Sequence, residues 1–238
     1  MKFKILTGLV TGLVVSATTS VLFCQPSRAG NPRFFSNVAQ IDSSDLAAGE
    51  KAEDFFNQGG EKYQKGDLQG AIEALNQAIK LNPNYVEAYY NRGIIRYGLQ
   101  DYKGAIADFT EVLRINPKMF QAYVNRGNAR DDSGDSQGAI ADYNEALRIN
   151  PNDSKSYYNR GVTHSRMGDN QSAIADFNEA LRINPNYALA YANRGNIRAK
   201  LGEKEAAIQD FQKAADLFQQ QGDKDSYQKA IDTLKKLQ

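Results

Sequence analysis

The residues of this chain that could do chemistry are few and scattered. There is one cysteine, Cys24, and one histidine, His164, so neither a disulfide framework, a Cys/His zinc site nor a Cys-His catalytic pair can be assembled. The adjacent acids Asp131 and Asp132 could begin a metal site, but two neighbouring carboxylates without further ligands are usually a solvated face. No nucleophile paired with a base, no glycine-rich phosphate loop and no metal-ligand spacing is present. The expectation is a chain that is not an enzyme, with no catalytic residues, no metal and no cofactor. What recurs instead is arginine: "AYYNRGIIR" at 88–96, "AYVNRGNAR" at 122–130, "SYYNRGVTH" at 156–164 and "AYANRGNIR" at 190–198. Arg92, Arg126, Arg160 and Arg194 are either a ladder of cations for an anionic partner or the internal partners of buried acids. His164 stands where the other stretches have Lys62, Arg96, Arg130 and Arg198, and reads as a substituted surface base.

Composition limits the choice. With 41% hydrophobic and 24% charged residues, the 238-residue chain can bury a normal core. Three of its 29 bases, Lys2, Lys4 and Arg28, lie in an acid-free N-terminal segment, leaving 26 bases against 28 acids from Gly30 onward, a net of −2. Nucleic-acid binding driven by bulk charge is therefore disfavoured, and no pattern points to a small-molecule substrate.

The N-terminus reads as an export signal: two lysines, the uncharged run Ile5–Phe23, then a polar "CQPSRAG". Ser27 and Ala29 put small residues where a signal peptidase reads, so residues 1–29 are expected to be cleaved off. Two alternatives stay open and would bring the chain to a membrane. The uncharged run is 19 residues long, and an uncleaved anchor needs about 17–25. Cys24 could also be acylated, although "VLFC" is a loose lipobox with bulky Phe23 where a small residue is expected. Residues 30–51 read as a linker, rich in Asn, Ser, Gln and Gly up to about Ser44.

From there one period takes over. Pro83, Pro117, Pro151 and Pro185 are 34 residues apart, each preceded by Asn, and a fixed period of this length predicts a solenoid whose units bury their apolar faces against one another. The units are 52–85, 86–119, 120–153, 154–187 and 188–221. Counted from the first residue of each, place four is Phe55, Tyr89, Tyr123, Tyr157 and Tyr191, and place eight is Gly59, Gly93, Gly127, Gly161 and Gly195. Places four, eight and eleven form one stripe of a first helix, and places twenty, twenty-four and twenty-seven one stripe of a second. Between them Gly66, Gly134, Gly168 and Gly202 can close the first helix in a left-handed conformation, with Gln100 standing in that position in the second unit. Asp67, Asp101, Asp135 and Asp169 follow as N-caps. In the fifth unit Gln220 replaces the proline, so its second helix should run on to Gly222, and Asp223 should cap a final helix, 224–237, within a C-terminal cap at 222–238.

The unit, with its aromatic, glycine, alanines and proline in register five times, resembles the tetratricopeptide repeat. The resemblance implies an all-α, right-handed superhelical solenoid of five helix-turn-helix units plus a capping helix, whose first helices line a concave groove for a peptide or partner protein. Carried over to this sequence, the groove positions include Phe56 and Tyr63 in the first unit, and Tyr90, Ile94 and Tyr97 in the second. The third supplies Val124, Asn128 and Asp131, the fourth Lys155, Tyr158, Val162 and Arg166, and the fifth Asn196 and Lys200. This face is expected to be aromatic at one end, acidic around Asp131 and Asp132, and basic around Lys155, Arg166 and Lys200. A lysine–asparagine clamp for chaperone C-termini, which one branch of the family uses, is absent because no fifth place is lysine. The wording of the repeats is similar to repeats abundant in cyanobacteria, which implies the periplasm or thylakoid lumen and a role in assembling envelope or photosynthetic complexes. Self-association into a structural array, or a membrane-anchored or lipidated assembly factor, is the alternative.

The arginines have a partner in the sequence. Wherever place seven is arginine, place twenty-three is aspartate, giving Arg92 with Asp108, Arg126 with Asp142, Arg160 with Asp176 and Arg194 with Asp210. The first unit has Gln58 and Ala74 instead, losing both charges together. Antiparallel helices of equal length place these positions at one height, so an ion pair within each unit is expected.

Overall fold

The computed structural model describes residues 43–238; the expected signal segment, Cys24 and the first part of the linker lie outside them. The described residues form helical hairpins in sequence: α1 (Ser43–Gln64) with α2 (Leu68–Leu81), α3 (Val86–Gly98) with α4 (Tyr102–Ile115), and α5 (Phe120–Asp132) with α6 (Ser136–Ile149). Then come α7 (Ser154–Arg166) with α8 (Asn170–Ile183), α9 (Ala188–Lys200) with α10 (Lys204–Gln220), and a last helix α11 (Lys224–Leu237). One boundary differs from expectation. Helix α1 begins at Ser43, inside the segment read as linker, because Ala47, Ala48, Glu50 and Lys51 are strong helix formers and a nucleated helix extends at little cost. Among the described residues no helix is long and apolar enough to cross a membrane.

The hairpins close on small residues. Ala71, Ala105, Ala139, Ala173 and Ala207, all at place twenty, are fully buried. In units two to five the aromatic at place twenty-four packs closely against the place-eight glycine of its own unit, where the first unit has Leu75. A Cβ on Gly127 would stand 2.8 Å from Tyr143 Cε1, and one on Gly93 would stand 2.9 Å from Phe109 Cε1, both inside normal contact. Only glycine admits rings this close to a helix backbone.

The turns follow from local chemistry. Gly134 adopts φ +94°, and in the second unit Gln100 is forced into the same left-handed region at φ 63°, where its amide donates to Tyr97 O and the next amide, of Asp101, to Arg96 O at 2.8 Å. This is the 6→1 closure that satisfies terminal carbonyls. Asp67, Asp101, Asp135 and Asp169 then each accept from a backbone N–H three residues on. At the far end each "NP" asparagine folds its side chain onto the amide two residues later, as Asn82 does with Asn84.

Successive first helices, α3 with α5, α5 with α7 and α7 with α9, pack on one another more closely than successive second helices do. The stack therefore curves with its first helices on the inner side. At the C-terminal end α10 runs to Gln220, Gly222 turns at φ 74°, and Asp223 caps α11 by accepting from Ser226 N at 3.0 Å. Ala230 and Leu234 of α11 are buried against Ala214, Phe218, Ala207 and Phe211, closing the stack.

Because an L side chain at Gln100 costs about 1–2 kcal/mol in this conformation, Gln100→Gly is expected to stabilise the fold. The gain is about 1 kcal/mol after the greater freedom of glycine in the unfolded chain is subtracted. A raised denaturant midpoint with an unchanged slope is the expected observation.

Candidate binding groove

Each of units two to five is built around one buried carboxylate. In the third unit Asp142 accepts from Arg126 Nε at 2.9 Å and from Arg126 Nη2 at 2.7 Å, a forked, charge-assisted pair. A second guanidinium, Arg130 Nη1, reaches the same carboxylate at 2.8 Å. Asp142 is only 4% exposed at its side chain. The second and fifth units repeat the arrangement, with Arg92 and Arg96 on Asp108 and with Arg194 and Arg198 on Asp210. In the fourth unit Arg160 holds Asp176 alone, while His164 lies 3.8 Å from Asp176 and 3.7 Å from Asp169.

The place-seven arginine also ties neighbouring units together. Its remaining Nη1 donates backward to place twenty-five of the preceding unit: Arg92 to Asn76, Arg126 to Thr110, Arg160 to Asn144 and Arg194 to Asn178. The guanidinium also stacks over the tyrosine three residues earlier, 5.4–5.6 Å from the ring centre at Tyr89, Tyr123, Tyr157 and Tyr191. Sequence reasoning missed the second arginine because place eleven falls on the packing stripe. It is not an apolar packing position, and His164 is not a surface base, since its side chain is 18% exposed and turned toward the buried carboxylate.

On the inner face the candidate groove residues divide. Phe56 and Tyr158 are buried in the core rather than presented to a partner, because each ring is covered by the tyrosine that ends its own unit: Phe56 by Tyr85 at 5.1 Å and Tyr158 by Tyr187 at 4.7 Å. Tyr90 packs edge-on against Phe109, and its hydroxyl accepts from Asn125. Tyr63, Ile94, Tyr97, Val124, Asn128, Val162 and Asn196 are half-buried along the face, while Lys155, Arg166 and Lys200 are exposed.

The expected separation into an acidic middle and a basic flank gives way to one paired network. Arg166 Nη1 donates to Asp131 Oδ2 at 2.6 Å, Asp131 also accepts from Ser136, and Tyr97 donates to Asp132 Oδ2 at 2.6 Å. Asp131 is thus 7% exposed at its side chain and faces Arg166 rather than solvent, while Asp132 stays exposed beside it. Deeper in the face, Asn128 Oδ1 accepts from both Tyr143 OH and Asn159 Nδ2. The links from Asn159 to Asn128, Arg166 to Asp131 and Tyr97 to Asp132 join side chains 31–35 residues apart in sequence.

Burial sets the phenol chemistry. It pushes Tyr158 up to about 12, with the hydrogen bond from Asn193 and the charge of Arg166 acting the other way. Burial likewise pushes Tyr85 to about 12, helped by Glu53 and Glu87. Tyr97 is raised further, first by burial and then by its bond to Asp132 and that carboxylate's charge.

A curved stack of helical hairpins, with a polar and aromatic inner face and buried charge joints behind it, defines a helical-repeat solenoid. Family models described as TPR repeat match residues 59–100 and 132–168, and models described as tetratricopeptide repeat match 86–119, 154–187 and 177–209. The chain belongs to the tetratricopeptide-repeat family. Among solved structures it is similar to a MamA protein, at 26% identity and TM-score 0.67, over 74% of this chain and 96% of that one. It is also similar to MamA from Desulfovibrio magneticus RS-1, at 22% identity and TM-score 0.69, over 73% and 98%. YrrB, described as a TPR protein with an unusual peptide-binding site, shares the fold at 22% identity and TM-score 0.62, over 80% and 98%. Among curated proteins none matches.

Asp142→Ala is expected to cost about 3–5 kcal/mol, since it strands two guanidiniums. Arg126→Ala should cost less, because Arg130 still holds the carboxylate, and a double-mutant cycle of the pair should show a coupling of about 1–3 kcal/mol. The buried phenols bind their protons more tightly folded than unfolded, so their contribution is complete below pH 10 and is lost as pH rises from 10 toward 12. An alkaline stability profile should fall over that window, and less steeply for Tyr158→Phe.

Proposed function

We propose that this chain is a non-catalytic scaffold that holds a peptide or a segment of a partner protein against the inner face of its first helices. The observation that carries this reading is the network running from Tyr97 through Asp132 and Asp131 to Arg166, which spans α3, α5 and α7. It fixes the side chains before any partner arrives, and Arg166 still has 41% of its side chain exposed. Preorganised aromatic and arginine groups are the side chains that anchor interfaces, because little entropy is lost when they are used. Ile94, Val124 and Val162 lie beside them as half-buried apolar surface. The same fold carries a peptide-binding site in YrrB, which supports the reading at the level of fold. The N-terminal signal-like residues support placing the scaffold in the periplasm or thylakoid lumen, where it would hold components of an envelope or photosynthetic complex during assembly.

The test selects short random peptides displayed on phage against the full chain and measures their affinities calorimetrically. Tyr97→Ala and Arg166→Ala are each expected to weaken binding about tenfold or more, whereas Glu145→Ala on the outer helix α6 leaves it unchanged. Melting curves establish that each variant folds. Failure to select any peptide, or equal sensitivity to all three substitutions, would contradict the groove reading.

A further inference from the structure

Unit four closes its buried aspartate differently from its neighbours. In units two, three and five, place eleven gives Asp108, Asp142 and Asp210 a second guanidinium, from Arg96, Arg130 and Arg198, at 2.8–2.9 Å. In unit four that place is His164, the one histidine of the chain. Its Nε2 lies 3.8 Å from Asp176 Oδ2 and its Nδ1 lies 3.7 Å from Asp169 Oδ2. Each ring nitrogen thus faces a carboxylate, one buried within α8 and one exposed at its cap.

A neutral imidazole has one N–H donor and one lone pair. Set between two carboxylates, it turns that lone pair toward an acceptor, which repels it. The imidazolium instead directs an N–H at each acid and carries the charge that both lack. Asp169 registers the coupling: its carboxyl is held below the ordinary aspartate range first by the hydrogen bond from Ser172 and further by the charge of His164. A cation also suits the last turn of α7, where the helix carbonyls are unpaired. The charged groups that the neighbouring elements bring to this level are engaged elsewhere. Arg160 of α7 holds Asp176, and Arg166 is taken by Asp131 of α5. Arg130 of α5 and Arg198 of α9 hold the aspartates of their own units. On α6, Asp142 is held by Arg126 and Arg130, and Glu145 pairs with Arg148.

We propose that His164 makes unit four a proton-operated joint. On gaining a proton the ring bridges Asp176 and Asp169 and locks α7 onto α8; on losing it, Asp176 is left to Arg160 alone. Arg166, the groove anchor, lies two residues further along α7, so the joint regulates the groove by setting how firmly that helix is held. This second step rests on the peptide-binding reading above, whereas the joint itself does not. The folded arrangement favours the charged ring, so the added stability is complete near pH 5 and is lost as pH rises toward about 8, the range over which histidine gives up its charge.

Urea unfolding of the full chain at about pH 5 and about pH 8 tests the joint, with His164→Gln as a side chain that never charges and His164→Arg as one that always does. At the lower pH, His164→Gln is expected to reduce the midpoint by about 0.5 M urea while His164→Arg matches the wild type. At the higher pH the order reverses: His164→Gln matches the wild type and His164→Arg exceeds it. A glutamine effect of the same size at both pH values would overturn the proposal. For the groove, a peptide selected on the full chain is titrated into wild type and His164→Arg at both pH values, and the ratio of the two affinities cancels the titration of the peptide itself. That ratio should lie near one at the lower pH and fall about threefold at the higher, a change of roughly 0.65 kcal/mol in relative affinity. A ratio that stays flat while the unfolding midpoints move would overturn the regulation of the groove. Failure to select any peptide would overturn the groove reading alone, since the unfolding series still decides the joint.

Discussion

The fold hangs on a carboxylate buried between two helices. Taking an aspartate such as Asp142 out of water is costly, and the cost is met only when its lone pairs are filled by charged donors in good geometry. Two guanidiniums from one helix do this, at places seven and eleven, one turn apart on the same side. The pair fixes the height of the second helix against the first. The third nitrogen of the place-seven arginine then reaches the preceding unit, so the same group that closes a hairpin also sets its stacking on the last one. A solenoid is held by nearest-neighbour interfaces, and here one side chain serves both the unit and the interface.

That arrangement decides what the inner face can present. With place seven committed to the joint, places five, nine and twelve turn about the helix toward the groove or the next ring. Whether a place-five aromatic becomes surface or core depends on the last residue of its unit: Phe56 and Tyr158 are roofed by Tyr85 and Tyr187, both at place thirty-four. The charges of the groove are largely spent on one another through Arg166 and Asp131. On the proposed reading, recognition falls to half-buried aromatic rings, the exposed Arg166 and individual hydrogen-bonding groups rather than to bulk charge, in keeping with a chain whose acids and bases nearly balance.

Much of this is legible in the sequence because it repeats. The glycine–aspartate turns, the alanine stripe of the second helix and the final cap at Asp223 each follow from local rules, and the arginine–aspartate pair shows itself because both partners vanish together at Gln58 and Ala74. The rest depends on contacts between units, where each junction has its own side chains. The bond from Asn125 to Tyr90 and the one from Asn159 to Asn128 solve the same problem with different places, so no single spacing announces them. Arg96 and Arg130 sit at a packing interval and hide their charge role behind it. The start of α1 at Ser43 was obscured by the polar composition of the residues before the first full unit.

The central claim is that the buried joints only position the first helices and that recognition happens on their inner face. Amide hydrogen exchange of the full chain with and without a selected peptide tests it most directly. The account predicts that added protection appears in α1, α3, α5 and α7 and leaves the outer helices α4, α6 and α8 unchanged. Protection concentrated in those outer helices, or confined to α11, would contradict it.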